Sequence, residues 1–161
     1  MKKVIFSCVF TIGIFFQAIG QDSFKENNIE DNIEVNWEKD YSKAVKLSKS
    51  SKKPLLIFFT GSDWCSPCKM LVADVFQSKK FKNLSEDDFV LYEANYPRNK
   101  DLVSKSQKSN NESLKRKFNI NTYPTVIIVN SKEHELGRLK GYNLMRDTSY
   151  HYSFFKETLN K

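Results

Sequence analysis

A chain of 161 residues, 40% of them hydrophobic and 28% charged, is enough for one domain with a real core and too short for two. Its formal charge of +7 is spread over many lysines, with no aromatic-interleaved basic stripe and no nucleic-acid motif, which excludes a DNA- or RNA-binding reading. Three cysteines in a chain of this size are too few for a disulfide scaffold.

The chain opens with Lys2-Lys3, continues through an apolar stretch from Val4 to Ile19, and reaches Ala18-Ile19-Gly20 before Gln21. A charged start, an apolar middle and a small-x-small exit predict a secretory signal over 1–20, cleaved after Gly20. A retained anchor is the alternative, but the stretch falls short of the roughly 20 residues that a spanning helix prefers. Cys8 lies inside that run, so cleavage would leave two cysteines and lower the formal charge from +7 to +5 by removing Lys2 and Lys3. Residues 21–33 are polar and Asn/Glu-rich, which predicts a flexible lead-in, and the folded domain is expected over 34–161.

Ile33-Glu34-Val35-Asn36-Trp37 alternates like a short first strand. Tyr41, Ala44, Val45 and Leu47 recur at helical spacing between Glu38 and Ser50, with lysines on the other face. After Pro54, the wholly apolar run Leu55–Phe59 reads as a strand buried on both faces. Met70, Leu71, Val72, Val75 and Phe76 then mark a helix. The stretch from Ser78 to Asp88 suggests a broken helix or a turn, and Phe89–Asn95 a second buried strand closed by Tyr96-Pro97. Val103, Gln107, Asn111, Leu114 and Phe118 fall on one helical face, its two amides read as a partly exposed stripe. A hairpin is expected from Val126–Asn130 and Glu135–Lys140 about a Ser131-Lys132-Glu133 turn. Asp147-Thr148 begins a last helix through Leu159, on which His151 is a surface or packing residue.

The organising stretch is Trp64-Cys65-Ser66-Pro67-Cys68-Lys69, where the central strand hands over to a helix. Two thiols three residues apart in a first helical turn share a face and can form a disulfide, and Pro67 is tolerated because first-turn amides lack helical partners. Cys65, at an exposed helix start, faces unpaired N–H groups and the positive end of the dipole, which should bring its thiol below the usual value of about 8.5. Cys68, one turn in, is more shielded. Cys65 is thus the expected nucleophile and Cys68 the resolver. Zinc is the competing reading of a C-x-x-C pair, but His134 and His151 do not supply a finger-like spacing. A purely structural disulfide is the other alternative.

The segment Phe59-Thr60-Gly61-Ser62-Asp63-Trp64-Cys65-x-x-Cys68-Lys69 resembles the active site of the thioredoxin-like family, and within it of small secreted disulfide-interchange proteins. Tyr123-Pro124-Thr125 before Val126–Val129 is similar to the family's cis-proline loop, and Gly137-Arg138 with Gly141-Tyr142 to its last hairpin. The resemblance runs from about Trp37 to the C-terminus. It implies a single α/β domain with a thioredoxin-like fold, a central mixed sheet flanked by helices. It implies an exported thiol:disulfide oxidoreductase, periplasmic or secreted, without a cofactor or bound metal. Trp64, Tyr123 and Pro124 would dock an extended substrate segment, and Ser66 and Pro67 would tune the redox pair.

The chain departs from the family in one place. Many members carry a buried acid beneath the dithiol on the central strand, whereas Phe58 or Phe59 occupies that position here. Glu93, on the neighbouring strand, is the candidate substitute proton acceptor, with water as the alternative; Asp63 is expected to face solvent. Proline before the second cysteine resembles the reducing members, so the expected direction is reduction. The expected partners are protein disulfides or dithiols and a membrane thiol-relay electron donor, with the protein itself a monomer. The alternative functions are a client-binding module with a permanent disulfide, or an oxidase or isomerase.

Overall fold

The computed structural model describes residues 33–160. The expected signal at 1–20 and all of the lead-in except Ile33 lie outside the described residues. Four strands, β1 (Leu55–Thr60), β2 (Val90–Asn95), β3 (Thr125–Val129) and β4 (Glu135–Lys140), form one sheet in the order β2-β1-β3-β4. β1 runs parallel to β2 and antiparallel to β3, and β3 pairs antiparallel with β4, so the sheet is mixed. Among the described residues five α-helices accompany it: α1 (Tyr41–Ser51), α2 (Ser66–Leu71), α3 (Lys79–Asp88), α4 (Lys105–Lys117) and α5 (Ser149–Leu159).

β1 is buried at every position because helices cover both faces of the sheet. Its residues divide by parity, as a strand's two-residue period requires. Leu56 and Phe58 join Leu91, Val126 and Ile128 in a core with Leu71, Phe76, Phe81 and Phe155, which come from α2, the turns after it, α3 and α5. Leu55, Ile57 and Phe59 join Tyr92, Ala94, Ile127 and Val129 in a second core beneath Ala44 of α1 and Leu114 of α4.

Local sequence signals set the helix starts. Asp40 caps α1 through Lys43 N–H, Ser78 caps α3 through Phe81 N–H, and Ser104 with Gln107 forms a reciprocal capping box on α4. The stretch 78–88 is accordingly one continuous helix after its cap, and not the broken helix or turn that its scattered apolar residues suggested. Residues 33–37 do not form the expected first strand. Only Glu38 bridges to Tyr92, its N–H donating to the Leu91 carbonyl, while Trp37 turns inward against Phe58 and Phe76. Contact with the aromatic core takes the place of strand pairing there.

The amide stripe on α4 is also corrected at Asn111, which is 1% exposed. Its Oδ1 accepts from the Tyr92 hydroxyl at 2.6 Å and its Nδ2 donates to the Asn95 carbonyl at 2.9 Å, so burial leaves neither amide end without a partner. Gln107 serves the capping box.

His151 is 2% exposed, between the rings of Tyr142 and Phe155, and neither of its ring nitrogens has a hydrogen-bond partner among the described residues. Burial alone lowers its pKa to about 4. The unfolded chain takes up the proton near pH 6.5, so His151 adds no penalty above that pH and destabilises the fold progressively as pH falls towards 4, by on the order of 3 kcal/mol. His151→Phe should flatten the decline in stability between pH 6.5 and 4, measured by denaturant unfolding; an unchanged decline would place its cause elsewhere.

Candidate redox site

The β1 strand ends at Thr60, and Gly61 begins the turn that leads into the dithiol. The Cys65 N–H donates to the Gly61 carbonyl at 2.8 Å, closing the turn from which α2 starts. A Cβ at Gly61 would lie 2.2 Å from the Trp64 indole, so a side chain there is incompatible with the ring's position. Cys65 is the N-cap of α2, Ser66 starts the helix on the exposed side, and Pro67 lies in the first turn. A disulfide joins Cys65 and Cys68, whose Cα atoms are 5.2 Å apart, and Cys68 N–H donates to Cys65 Sγ at 3.3 Å.

One feature of the pair differs from expectation. Cys65 was expected at an exposed helix start, yet it is 4% exposed, close to the 1% of Cys68. Both belong to the Phe58–Phe76 core. The turn after Gly61 presses the cap residue into that core and leaves Trp64, 37% exposed, as the outer member of the motif.

Trp64 is held from three sides. Its Nε1 donates to the Tyr96 carbonyl at 2.8 Å, its ring meets that of Tyr123 edge-on at 5.6 Å, and the Arg98 guanidinium lies 5.7 Å from the ring centroid. This contact brings the Tyr123-Pro124 loop to the dithiol turn. The Tyr123–Pro124 peptide is cis, and the Pro124 carbonyl accepts from Gly141 N–H at 2.7 Å. Asp63 does not simply face solvent. Its carboxylate accepts from the backbone N–H groups of Asn99 at 2.8 Å and Arg98 at 3.0 Å, which hold its pKa below the usual carboxylate range.

Beneath Cys68 lies a cavity of about 650 Å³, bounded also by Phe58, Thr60, Val72, Phe76 and Glu93. Phe58 and Glu93 are register partners across β1 and β2, so both point to the dithiol side of the sheet. Burial pushes the Glu93 carboxyl above the usual range, weakly opposed by Lys39. A carboxyl on β2 thus faces the same cavity as Phe58 and Cys68.

After α2 the helix widens into π-type turns over Val72–Phe76. Asp74, in this segment, accepts from the Tyr142 hydroxyl at 2.7 Å and from both Nε and an Nη of Arg146, tying the loop after β4 to the dithiol helix. Sequence reasoning passed over Asp74, Arg146, Tyr96 and Lys115. The nearest signal was the aromatic Tyr96-Pro97 pair closing β2. Among the described residues, no group of three or more His, Cys, Asp or Glu side chains could hold a metal ion.

A four-stranded mixed sheet, a dithiol at a strand-to-helix turn and a proline loop brought alongside it define a thioredoxin-fold redox centre. The chain belongs to the thioredoxin-like family, whose model matches residues 36–131. It is 34% identical over 117 residues to the thioredoxin-related protein DsbJ of Chlamydia pneumoniae, a match spanning 73% of this chain and 33% of that one. It is 30% identical over 105 residues to the disulfide bond reductase DsbH of the same organism, spanning 65% of this chain and 62% of that one. The match therefore spans about a third of one curated relative's length and somewhat under two thirds of the other's. Among solved structures, a DsbH oxidoreductase superposes with a TM-score of 0.69 at 24% identity, covering 86% of this chain and 94% of that one.

Proposed function

We propose that the protein is an exported thiol:disulfide oxidoreductase that reduces disulfides in protein substrates. The observation that carries the reading is the Cys65–Cys68 pair at the cap of α2, with Cys68 and Glu93 bounding one cavity. The Cys65 thiolate attacks one sulfur of a substrate disulfide, forming a mixed disulfide and releasing the other sulfur as a thiolate. Cys68 gives its proton to Glu93, and the resulting thiolate attacks Cys65 Sγ. This closes the Cys65–Cys68 disulfide and releases the second substrate thiolate. Two electrons pass to the substrate, and an external dithiol must return them. For a protein exported by the 1–20 leader, a membrane thiol relay would supply that dithiol. The name of the relative DsbH, a disulfide bond reductase, supports the reducing direction.

Pro67 and the exposed Ser66 tune the pair through the first turn of α2, while Trp64, Tyr123 and Pro124 receive the substrate segment. The elevated pKa of Glu93 suits it to take a thiol proton, because an ordinary carboxylate is too weak a base. Glu93→Gln should leave the first exchange step intact and slow resolution about a hundredfold at neutral pH, with the gap narrowing as pH rises and hydroxide removes the proton instead. Single-turnover kinetics that separate the two phases would show this; an unchanged second phase would assign the proton to solvent.

The near-complete burial of Cys65 favours a second reading, a client-binding module whose disulfide stays closed. Equilibration against glutathione buffers with free-thiol counting separates the readings. A potential near about −270 mV fits the reductase, and one near about −120 mV an oxidase or isomerase. A pair that strong dithiols cannot open leaves the module.

A further inference from the structure

The flank of the dithiol beyond Trp64 is cationic as well as aromatic. A pocket of about 280 Å³ lies there, walled by Trp64, Tyr96 and Tyr123 and edged by Lys100, Lys108 and Lys115. The Lys115 ammonium stands 5.5 Å from the Tyr96 ring centroid and 5.8 Å from that of Tyr123, and Arg98 lies 5.7 Å from the Trp64 ring. Among the described residues Glu112 is the one carboxylate in the lining. The ion pairs found among those residues use Lys43, Lys117, Arg138 and Arg146, and none of the three lysines at this pocket or the neighbouring Arg98. The nearby Asp63 carboxylate is engaged by two backbone N–H groups and offsets part of the Arg98 charge, leaving the lysines as the main cations of the flank.

We infer that this pocket selects substrate disulfides whose polypeptide carries an acidic side chain beside the reacting cysteine. The inference rests on the exchange reading above and names the substrate class for that site. Trp64 adjoins the nucleophile in sequence, so a substrate cysteine on Cys65 puts its immediate neighbours over the pocket. The three rings, edge-on or tilted to one another, give an aromatic wall against which a backbone and the stem of a glutamate can pack. Three lysines against the single carboxylate of Glu112 leave the lining with a surplus of positive charge, so an acidic side chain gains attraction there and a basic one meets repulsion.

The test uses the reduced protein and three short peptides, each joined through one cysteine to 2-mercaptoethanol as a mixed disulfide. They differ only in having Glu, Gln or Lys on both sides of that cysteine. Neighbouring lysines lower a thiol's pKa and make it a better leaving group, so each rate is divided by the rate of the same peptide with dithiothreitol. The expected order is Glu above Gln above Lys, with about a tenfold span at low salt that contracts as ionic strength approaches about 0.5 M. Lys108→Glu combined with Lys115→Glu should invert the order. Equal normalised rates for the three peptides, or an order untouched by the double charge reversal, would overturn the inference alone. Absence of exchange with every peptide and with 2-hydroxyethyl disulfide would overturn the exchange reading, and this inference with it.

Discussion

Cys65→Ser is expected to abolish disulfide exchange, by more than about a thousandfold, because a hydroxyl has no anion at neutral pH that can attack sulfur. Cys68→Ser should instead complete the first half-reaction and stop, since nothing remains to attack Cys65 Sγ. Mass spectrometry should therefore find substrate joined to Cys65 in the second variant and nothing joined in the first. Misfolding is not the expected cause of either result. Cys65 is the N-cap residue of α2 and already accepts from Cys68 N–H, a role for which serine is a preferred residue. Losing so short a disulfide loop costs about 2 kcal/mol on the chain-entropy model, a cost both variants share. Exchange at an undiminished rate in Cys65→Ser would refute the assignment of the nucleophile, and with it the oxidoreductase reading.

Phe58→Ala should have the largest effect on stability, about 3–5 kcal/mol, a substantial part of what a domain of this size possesses. Phe58 is 1% exposed, lies edge-on to Phe76 at 4.7 Å and 6.0 Å from Trp37, and forms the floor between β1 and the dithiol helix. The cavity beneath Cys68 already borders it, so truncation enlarges a space that its neighbours cannot readily close. Phe58→Leu, which refills most of the volume, should cost about a third as much. Denaturant unfolding of the oxidised proteins gives both values, and a loss below about 1 kcal/mol for alanine would mean that the ring is not the packing centre described here.

Much of the architecture was legible locally. The continuous apolar run Leu55–Phe59 has only one stable place, inside a sheet covered on both faces, and it is β1. The hairpin of β3 and β4, the dithiol at a helix start and the last helix are equally local, each set by a period of two or 3.6 residues and a turn or cap. What was not legible depends on contacts between segments distant in the chain. A run buried on both faces carries no alternation, so nothing in Phe89–Asn95 says whether Glu93 or Tyr92 points towards the dithiol. That choice is made by the pairing register, which sets Glu93 opposite Phe58. The alternation of residues 33–37 was real, but Trp37 found more apolar contact against Phe58 and Phe76 than a strand edge offers.

By itself, then, the sequence determined the redox chemistry available, Cys65 and Cys68 three residues apart at a helix start, and the order of elements that present it. Only the tertiary structure decided what surrounds that pair. The burial of Cys65, the placing of Glu93 over the cavity of Cys68, and the meeting of Trp64 with Tyr123, Tyr96 and Lys115 all join segments distant in the chain. Such contacts arise from strand register and helix packing, which depend on the whole folded chain, whereas periodicity and capping are complete within one turn or one strand.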